Sequence, residues 1–150
     1  MKIDNKQWKW TREPKDFTIS EDKIEVITNP HTDLWQRTYY HFRNDNAPVL
    51  QMKTSEKLFS FIVKTEFETK VRFDQCGVVM YLDSENWLKG SIEYENEKFQ
   101  HLGSVVTNKG YSDWAKQKLM LELNLCGIDS VDVKTITALS AQKMAFIISR

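Results

Sequence analysis

Four side chains of different chemistry alternate along one short stretch of this chain. Trp87, Lys89, Ser91 and Glu93 fall on one face of a strand, because successive strand residues point to opposite sides. An aromatic plate, a cation, a hydroxyl and a carboxylate in one row could bind a carbohydrate or another small polar ligand. An equally weighted alternative is a structural ion-pair network in which Trp87 is an ordinary half-buried aromatic residue.

Residues outside this row could complete a ligand site. Lys89 and Glu93 are ~13 Å apart along the strand at ~3.3 Å per residue, so they cannot pair directly. Each could instead pair with a neighbouring strand, where Asp74 and Gln75 are the candidate partners. For the corner at residues 111–114, the favoured alternative is that Asp113 caps a tight turn and Trp114 packs in the core. The ligand-binding candidates are Trp87, Lys89, Glu93, Asp74, Gln75, Asp113 and Trp114.

The elements that position these residues are short strands. Gly77–Leu82, Trp87–Tyr94 and Phe99–Thr107 are separated by short polar turns and predict an antiparallel meander. Leu58–Glu68 alternates as a long half-buried strand, and Tyr39–Phe42 is predicted as another strand. With no amphipathic helix between the strands, the sequence predicts an all-β sandwich.

Several motifs follow one another along the chain: Asp74–Gly77, Trp87–Tyr94, Ser104–Asn108 and Tyr111–Trp114, with Thr32–Trp35 and Tyr39–Phe42 upstream. In order and spacing, between about residues 8 and 114, they resemble the regulation-of-enolase family of concanavalin-A-like β-sandwiches, a family of largely unassigned function. The resemblance implies a jelly-roll fold with the polar row on its concave face and Trp87 at the rim. The family's name also implies a regulatory link to enolase.

Catalysis is a weaker hypothesis. Glu93, Glu95 and Glu97 alternate, and retaining β-glucanases of the concanavalin-A-like fold also carry two carboxylates on one strand, about 5 Å apart. However, Glu95 and Glu97 are predicted in a turn, where charged residues are normally exposed. The three histidines have no ligand spacing and phosphate-loop motifs are absent, so we expect no metal and no cofactor.

Composition limits the possible partners and setting. The 150 residues predict one domain, and a formal net charge of zero gives no electrostatic footprint for nucleic acid or an anionic membrane. Cys76 and Cys126 form no CxxC pair, and Cys76 is expected to be a buried, inert thiol. With no signal peptide or apolar span in view, we expect a cytoplasmic protein, whose oligomeric state the sequence does not define.

The pattern changes after Ala115. Residues 1–115 are interpreted as a partial sandwich lacking its last strands, and residues 116–150 as an atypical tail of uncertain structure, read from another frame. For example, Leu123–Gly127 written as TTG AAT CTA TGT GGT and read from the third base gives ESMW, which resembles the family's continuation.

The polar row and the family resemblance lead to two functional hypotheses, and the atypical tail at residues 116–150 leads to a third. The first is a non-catalytic binding or regulatory domain with a ligand on the concave face, and it is preferred over an enzyme. The second is a glycan-active hydrolase that uses Glu93. The third is a truncated product without function.

Overall fold

A computed structural model of the protein describes residues 7–55, 58–120, 129–139 and 143–149. Within these ranges all regular structure is β-strand, as the sequence predicts. The strands are β1 (Trp8–Thr11), β2 (Asp16–Ile19), β3 (Ile24–Ile27), β4 (Leu34–Gln36), β5 (Arg43–Asp45), β6 (Val49–Lys53), β7 (Leu58–Phe67), β8 (Gln75–Asp83), β9 (Asn86–Asn96), β10 (Phe99–Asn108), β11 (Tyr111–Met120), β12 (Asp129–Leu139) and β13 (Lys143–Ser149).

A seven-stranded sheet forms the centre of the molecule, in the order β1-β6-β13-β8-β9-β10-β11. Strands β8 to β11 follow one another as antiparallel neighbours, which confirms the predicted meander and extends it by one strand. The turn between β10 and β11 has positive φ at Lys109 (50°) and Gly110 (75°), the backbone that a two-residue hairpin loop requires. A Cβ at Gly110 would also collide with the guanidinium of Arg37.

Both faces of this sheet are covered. On one face, Val78 and Ile92 pack with Val63 of β7, and Phe61 and Phe67 of the same strand lie against them. This confirms the predicted half-buried strand, whose Ile62 is 71% exposed on the other side.

The second core lies on the opposite face, under the β4–β5 hairpin and the chain that follows it. Its buried members are Leu34, Trp35, Ala47, Val49, Val79, Tyr81, Trp87 and Val105. The sheet is therefore the middle of a layered β-sandwich.

The predicted strand at Tyr39–Phe42 is wrong. The chain turns there, with positive φ at Arg37, Tyr39 and His41, and left-handed residues cannot continue a strand. The strand that pairs with β4 is instead Arg43–Asp45.

The tail contributes strands to both layers. β11 runs across the predicted boundary after Ala115, β12 pairs with β7, and β13 lies between β6 and β8. The codon argument at Leu123–Gly127 falls outside the described residues. The change of reading frame therefore stays a prediction about the coding DNA.

Candidate functional site

A channel of small residues crosses the sheet at the centre of the polar row. Ser91 on β9 lies opposite Gly77 on β8 and Gly103 on β10. Gly103 in turn lies opposite Lys116 on β11. We call Gly77, Ser91 and Gly103 the glycine channel. None of the three has a large side chain, and all three are buried.

The two walls of the channel are the neighbouring rows of the same sheet face, two residues away along each strand. Their backbones are ~13 Å apart, at ~3.3 Å per residue. One wall consists of Val79, Lys89, Val105 and Trp114, and the other of Gln75, Glu93, His101 and Lys118.

Gly77 and Gly103 lie too close to neighbouring atoms to be replaced by a residue with a side chain. A Cβ on Gly77 would collide with the carbonyl of Gly90 and lie 2.6 Å from the Cα of Ser91. A Cβ on Gly103 would lie 3.0 Å from Nε1 of Trp114. The indole therefore lies over Gly103, and its N–H edge reaches the channel floor.

Asp33 closes the β8 end of the channel. Its Oδ1 lies 3.5 Å from Nζ of Lys89 on one wall and accepts a hydrogen bond of 3.2 Å from Nε2 of Gln75 on the other. Lys89 also donates to the Leu34 carbonyl at 3.1 Å, and Ser91 Oγ donates to Gln75 Oε1 at 3.2 Å. This network satisfies Lys89, which is only 3% exposed.

Glu93 faces the remaining part of the channel. It is 8% exposed, and its Oε1 has no hydrogen-bond partner among the described residues. Burial raises the pKa of Glu93 to about 7, and the nearby carboxylates of Asp33 and Glu95 act in the same direction, against Lys89 and Lys116. A carboxyl group that titrates near neutrality can donate or accept a hydrogen bond.

A β-bulge in β9 brings a second carboxylate, that of Glu95, close to Glu93. The register passes from Asn96–Phe99 directly to Tyr94–Gln100, so Glu95 has no cross-strand partner. Its Oε1 lies 2.8 Å from Arg72, and its Oε2 lies 3.6 Å from Nδ1 of His101. Glu95 thus belongs to the end of β9, not to the turn predicted from the sequence.

His101 lies directly opposite Glu93. Burial lowers the pKa of His101, and Lys116 adds to this effect. Glu93, Glu95 and His101 therefore form a cluster of titratable groups at one wall of the channel.

Four predicted site residues come together and three do not. Gln75, Lys89, Glu93 and Trp114 all line the channel. Trp87 lies on the same face but is 4% exposed within the core, with Lys89 Nζ 5.9 Å from its ring centroid. Its ring is therefore not the open plate at the rim that the carbohydrate hypothesis assigned to it.

Asp74 and Asp113 lie elsewhere. Asp74 Oδ2 accepts hydrogen bonds from the backbone N–H groups of Lys70 and Val71, at 2.7 and 3.0 Å, and holds a turn. Asp113 is exposed opposite Val106, on the face away from the channel. Neither carboxylate contacts the polar row, so Lys89 pairs with Asp33 instead of Asp74.

Sequence reasoning missed Asp33 and His101. Asp33 lies within a motif that carries the family resemblance, but its pairing with Lys89 spans 56 positions along the chain. His101 could have been found by aligning the two arms of the β9–β10 hairpin, although the bulge at Glu95 changes the register.

An aromatic series leads away from the channel wall. The ring centroids of His101 and Trp114 are 6.4 Å apart, and those of Trp114 and Trp35 are also 6.4 Å apart. Trp35 in turn contacts the exposed ring of Tyr40 at 5.6 Å. The channel is therefore continuous with an aromatic surface on the β4–β5 hairpin.

The described residues show neither a metal site nor a membrane-spanning helix. Within the described ranges, no group of three or more His, Cys, Asp or Glu side chains could hold a metal ion, and no helix there is long and apolar enough to cross a membrane. Cys76 is buried as expected, and burial raises the pKa of its thiol to about 12.

These features define an all-β sandwich with a buried polar row, and the described residues show no recognisable catalytic motif. The family described as "protein of unknown function (DUF1349)" matches residues 10–129, and the chain belongs to this family. The match continues past Trp114, where the sequence resemblance ended.

This chain is similar to a curated protein and to a solved structure, both from Saccharomyces cerevisiae. "Regulation of enolase protein 1" is 32% identical over 109 residues, which are 73% of this chain and 54% of that protein. The chain thus spans about half the length of this curated relative. A crystal structure of a functionally unknown protein matches with a TM-score of 0.72 at 23% identity, over 96% of this chain and 88% of the other. The predicted family and all-β fold are therefore confirmed.

Proposed function

We propose that this protein is a non-catalytic binding domain that holds a sugar-like, small polar ligand in the glycine channel. The observation that carries the proposal is the buried Glu93 carboxyl group, whose Oε1 has no partner among the described residues. Burying a polar atom without a hydrogen bond costs about 1–3 kcal/mol. A ligand hydroxyl at this position would remove that cost.

The other groups around Glu93 suit a polyhydroxyl ligand. Glu93 and the imidazole of His101 can each donate or accept, while Trp114 offers an indole N–H and part of a ring face. Lys116 lies at the channel end, with Nζ 4.3 Å from the Trp114 ring centroid. Fixed donors and acceptors beside an aromatic surface are the mixture that orients a sugar ring.

Titration calorimetry with a panel of neutral monosaccharides would test the proposal. We expect Glu93→Gln to weaken binding about tenfold, since one charge-assisted hydrogen bond is lost or exchanged. The matched control is Asp113→Asn, which makes the same chemical change on the opposite face of the sheet and should leave binding unchanged. Absence of binding across the panel, or equal effects of the two variants, would contradict the proposal.

A glycan-active enzyme is the second candidate, favoured by one observation. The pKa of Glu93 near 7 is that of a general acid or base poised at neutral pH, and Glu95 is a second carboxylate close enough to contribute to it. Glu93→Gln separates the two functions. Loss of turnover on nitrophenyl glycosides would support the enzyme, while a change confined to affinity would support the binding domain.

A regulatory role in a cytoplasmic setting is the broader proposal. The name of the yeast relative refers to regulation of enolase, and a domain that senses a small metabolite could act in regulation without catalysis. The unpaired, buried Cys76 is compatible with a reducing compartment. Fractionation of cells that express the tagged protein would test the location.

A further inference from the structure

The loop between β4 and β5 exposes three aromatic rings. Tyr39 is 80% exposed, Tyr40 43% and Phe42 42%. The rings contact one another, with Tyr39 edge-on to Tyr40 at 4.8 Å and Tyr40 stacked on Phe42 at 5.6 Å with 21° between their planes. We call residues 37–42 the aromatic loop. Its rings form a contiguous surface patch, unlike a single exposed side chain.

The aromatic loop has an unfavourable backbone that other contacts hold in place. Arg37, Tyr39 and His41 have φ values of 56°, 65° and 60°, in the left-handed region that residues other than glycine rarely adopt. The loop is closed by the Arg37 N–H, which donates to the Phe42 carbonyl at 2.7 Å. Backbone strain of this kind is often found where a loop presents side chains to a ligand.

Two further hydrogen bonds anchor the loop to the sandwich. The indole N–H of Trp35 donates to the Thr38 carbonyl at 2.9 Å. The guanidinium of Arg37 donates to the Gly110 carbonyl at 2.7 Å, on the β10–β11 turn. The exposed rings are therefore presented on an anchored loop.

A single residue separates the aromatic loop from the channel. Trp35 contacts Tyr40 on one side, at 5.6 Å between ring centroids, and Trp114 on the other, at 6.4 Å. Trp35 is itself buried, so packed aromatic rings connect Trp114, which lies over Gly103 in the channel floor, with the aromatic loop.

We propose that the aromatic loop is an outer subsite that stacks a further sugar unit of an oligosaccharide, one end of which occupies the channel. This inference rests on the proposed function and extends it from a single sugar to a glycan chain. Tyr39 and Tyr40 carry phenol hydroxyls on their exposed rings, and the half-exposed Arg43 follows in the chain. Apolar ring faces together with hydrogen-bonding groups match the two kinds of surface of a pyranose.

The size of the patch also favours a glycan over a protein partner. A stable protein interface covers about 800 Å² on each partner. Three aromatic side chains, each burying at most about 150–250 Å² in full, provide less, because Tyr40 and Phe42 are already more than half covered. The patch suits one or two sugar rings.

A chain-length series tests the inference. The probes are glucose and its β-1,3-, β-1,4- and α-1,4-linked oligomers of two to five units, with affinity measured by calorimetry. We expect a linkage type whose oligomers bind about three- to tenfold more tightly than the monosaccharide. Tyr39→Asn and Phe42→Ala should each reduce this gain without changing the affinity for the monosaccharide. Asn is chosen at position 39 because it tolerates the left-handed backbone.

Phe17→Ala is the matched control, because Phe17 is also an exposed phenylalanine (37%) but lies on the β2–β3 hairpin. It should leave the chain-length gain intact. If monosaccharides bind and oligomers bind no more tightly, the outer subsite is refuted while the channel remains. If no sugar binds at all, the proposed function fails with it. Self-association of the wild type that disappears in Tyr39→Asn, without dependence on chain length, would instead assign the loop to a second copy and overturn the inference.

Discussion

The protonation of Glu93 gives a sharp test of the channel's environment. In the folded protein its pKa is raised from 4.5 to about 7, mainly by burial. A tenfold change in a protonation equilibrium corresponds to ~1.4 kcal/mol, so ionising Glu93 at alkaline pH costs the folded state about 3 kcal/mol relative to the unfolded chain.

The direction of the pH effect follows from proton binding. Between pH 4.5 and about 7 the folded protein binds more protons at Glu93 than the unfolded chain does. The stability contributed by this group is therefore fully present below about pH 4.5 and is lost as the pH rises through 7. Glutamine has nearly the same shape as glutamate, and it stays neutral at every pH, so Glu93→Gln removes only the titration. We expect it to match the wild type near pH 4.5 and to be up to about 3 kcal/mol more stable above about pH 8.

Urea unfolding, followed by tryptophan fluorescence at several pH values, measures this difference directly. Contributions from other titrating groups cancel when the variant is compared with the wild type at each pH, except those from the groups that interact with Glu93. Those charged neighbours are Lys89, Asp33, Lys116 and Glu95. Asp113→Asn, at an exposed carboxylate on the other face, should show a small difference that does not change with pH. A Glu93→Gln variant that is no more stable than the wild type at alkaline pH would refute the burial of this carboxyl group.

Three other predictions concern the core and the tail. Lys89→Met should lower the free energy of unfolding by about 2–3 kcal/mol, because it leaves buried acceptors without their donor. Lys9→Met, on the exposed part of β1, should change the free energy of unfolding by less than about 0.5 kcal/mol. Urea titration of both variants checks this. Burial raises the pKa of the Cys76 thiol to about 12. In a Cys126→Ser variant at about pH 8, this thiol should therefore react with Ellman's reagent at least about a thousandfold more slowly in the folded protein than in urea. Rapid labelling of the folded protein would contradict the burial of Cys76. Sequencing the coding DNA across the Ala115–Lys116 junction should reveal a second open frame that continues the family pattern, and stop codons in that frame would disprove the frameshift.

Much of the fold could be predicted because strand alternation is a local signal. The meander from β8 to β11 and the long strand β7 are visible as period-two patterns bounded by turn residues. The Tyr39–Phe42 segment shows the limit of this signal. Its aromatic residues favour a strand by composition, but the backbone turns at three positive φ values that nothing in the residue types indicates.

The site could be predicted only in part, because a polar row does not reveal what covers it. Lys89 and Glu93 were identified by alternation alone, and both lie where the pattern puts them, on the same face as Ser91. That face was expected to be open and concave. In the structure it is covered by chain from residues 33–35, which no local pattern could place there. For the same reason Trp87 was assigned to a rim, although it packs in the core.

The covering segment also explains how one chain can hold a buried lysine and an ionisable carboxyl group four residues apart. Asp33 neutralises Lys89 at one end of the row, so the lysine is not available to pair with Glu93, ~13 Å along the strand. Glu93 then keeps its high pKa mainly because it is buried, and the carboxylates of Asp33 and Glu95 add to this effect. If Asp33 were replaced by Asn, Lys89 would lose its counter-ion, and a carboxylate that now raises the pKa of Glu93 would also be gone. Both changes favour ionised Glu93, so the state of the channel depends on a residue that is distant from it in sequence.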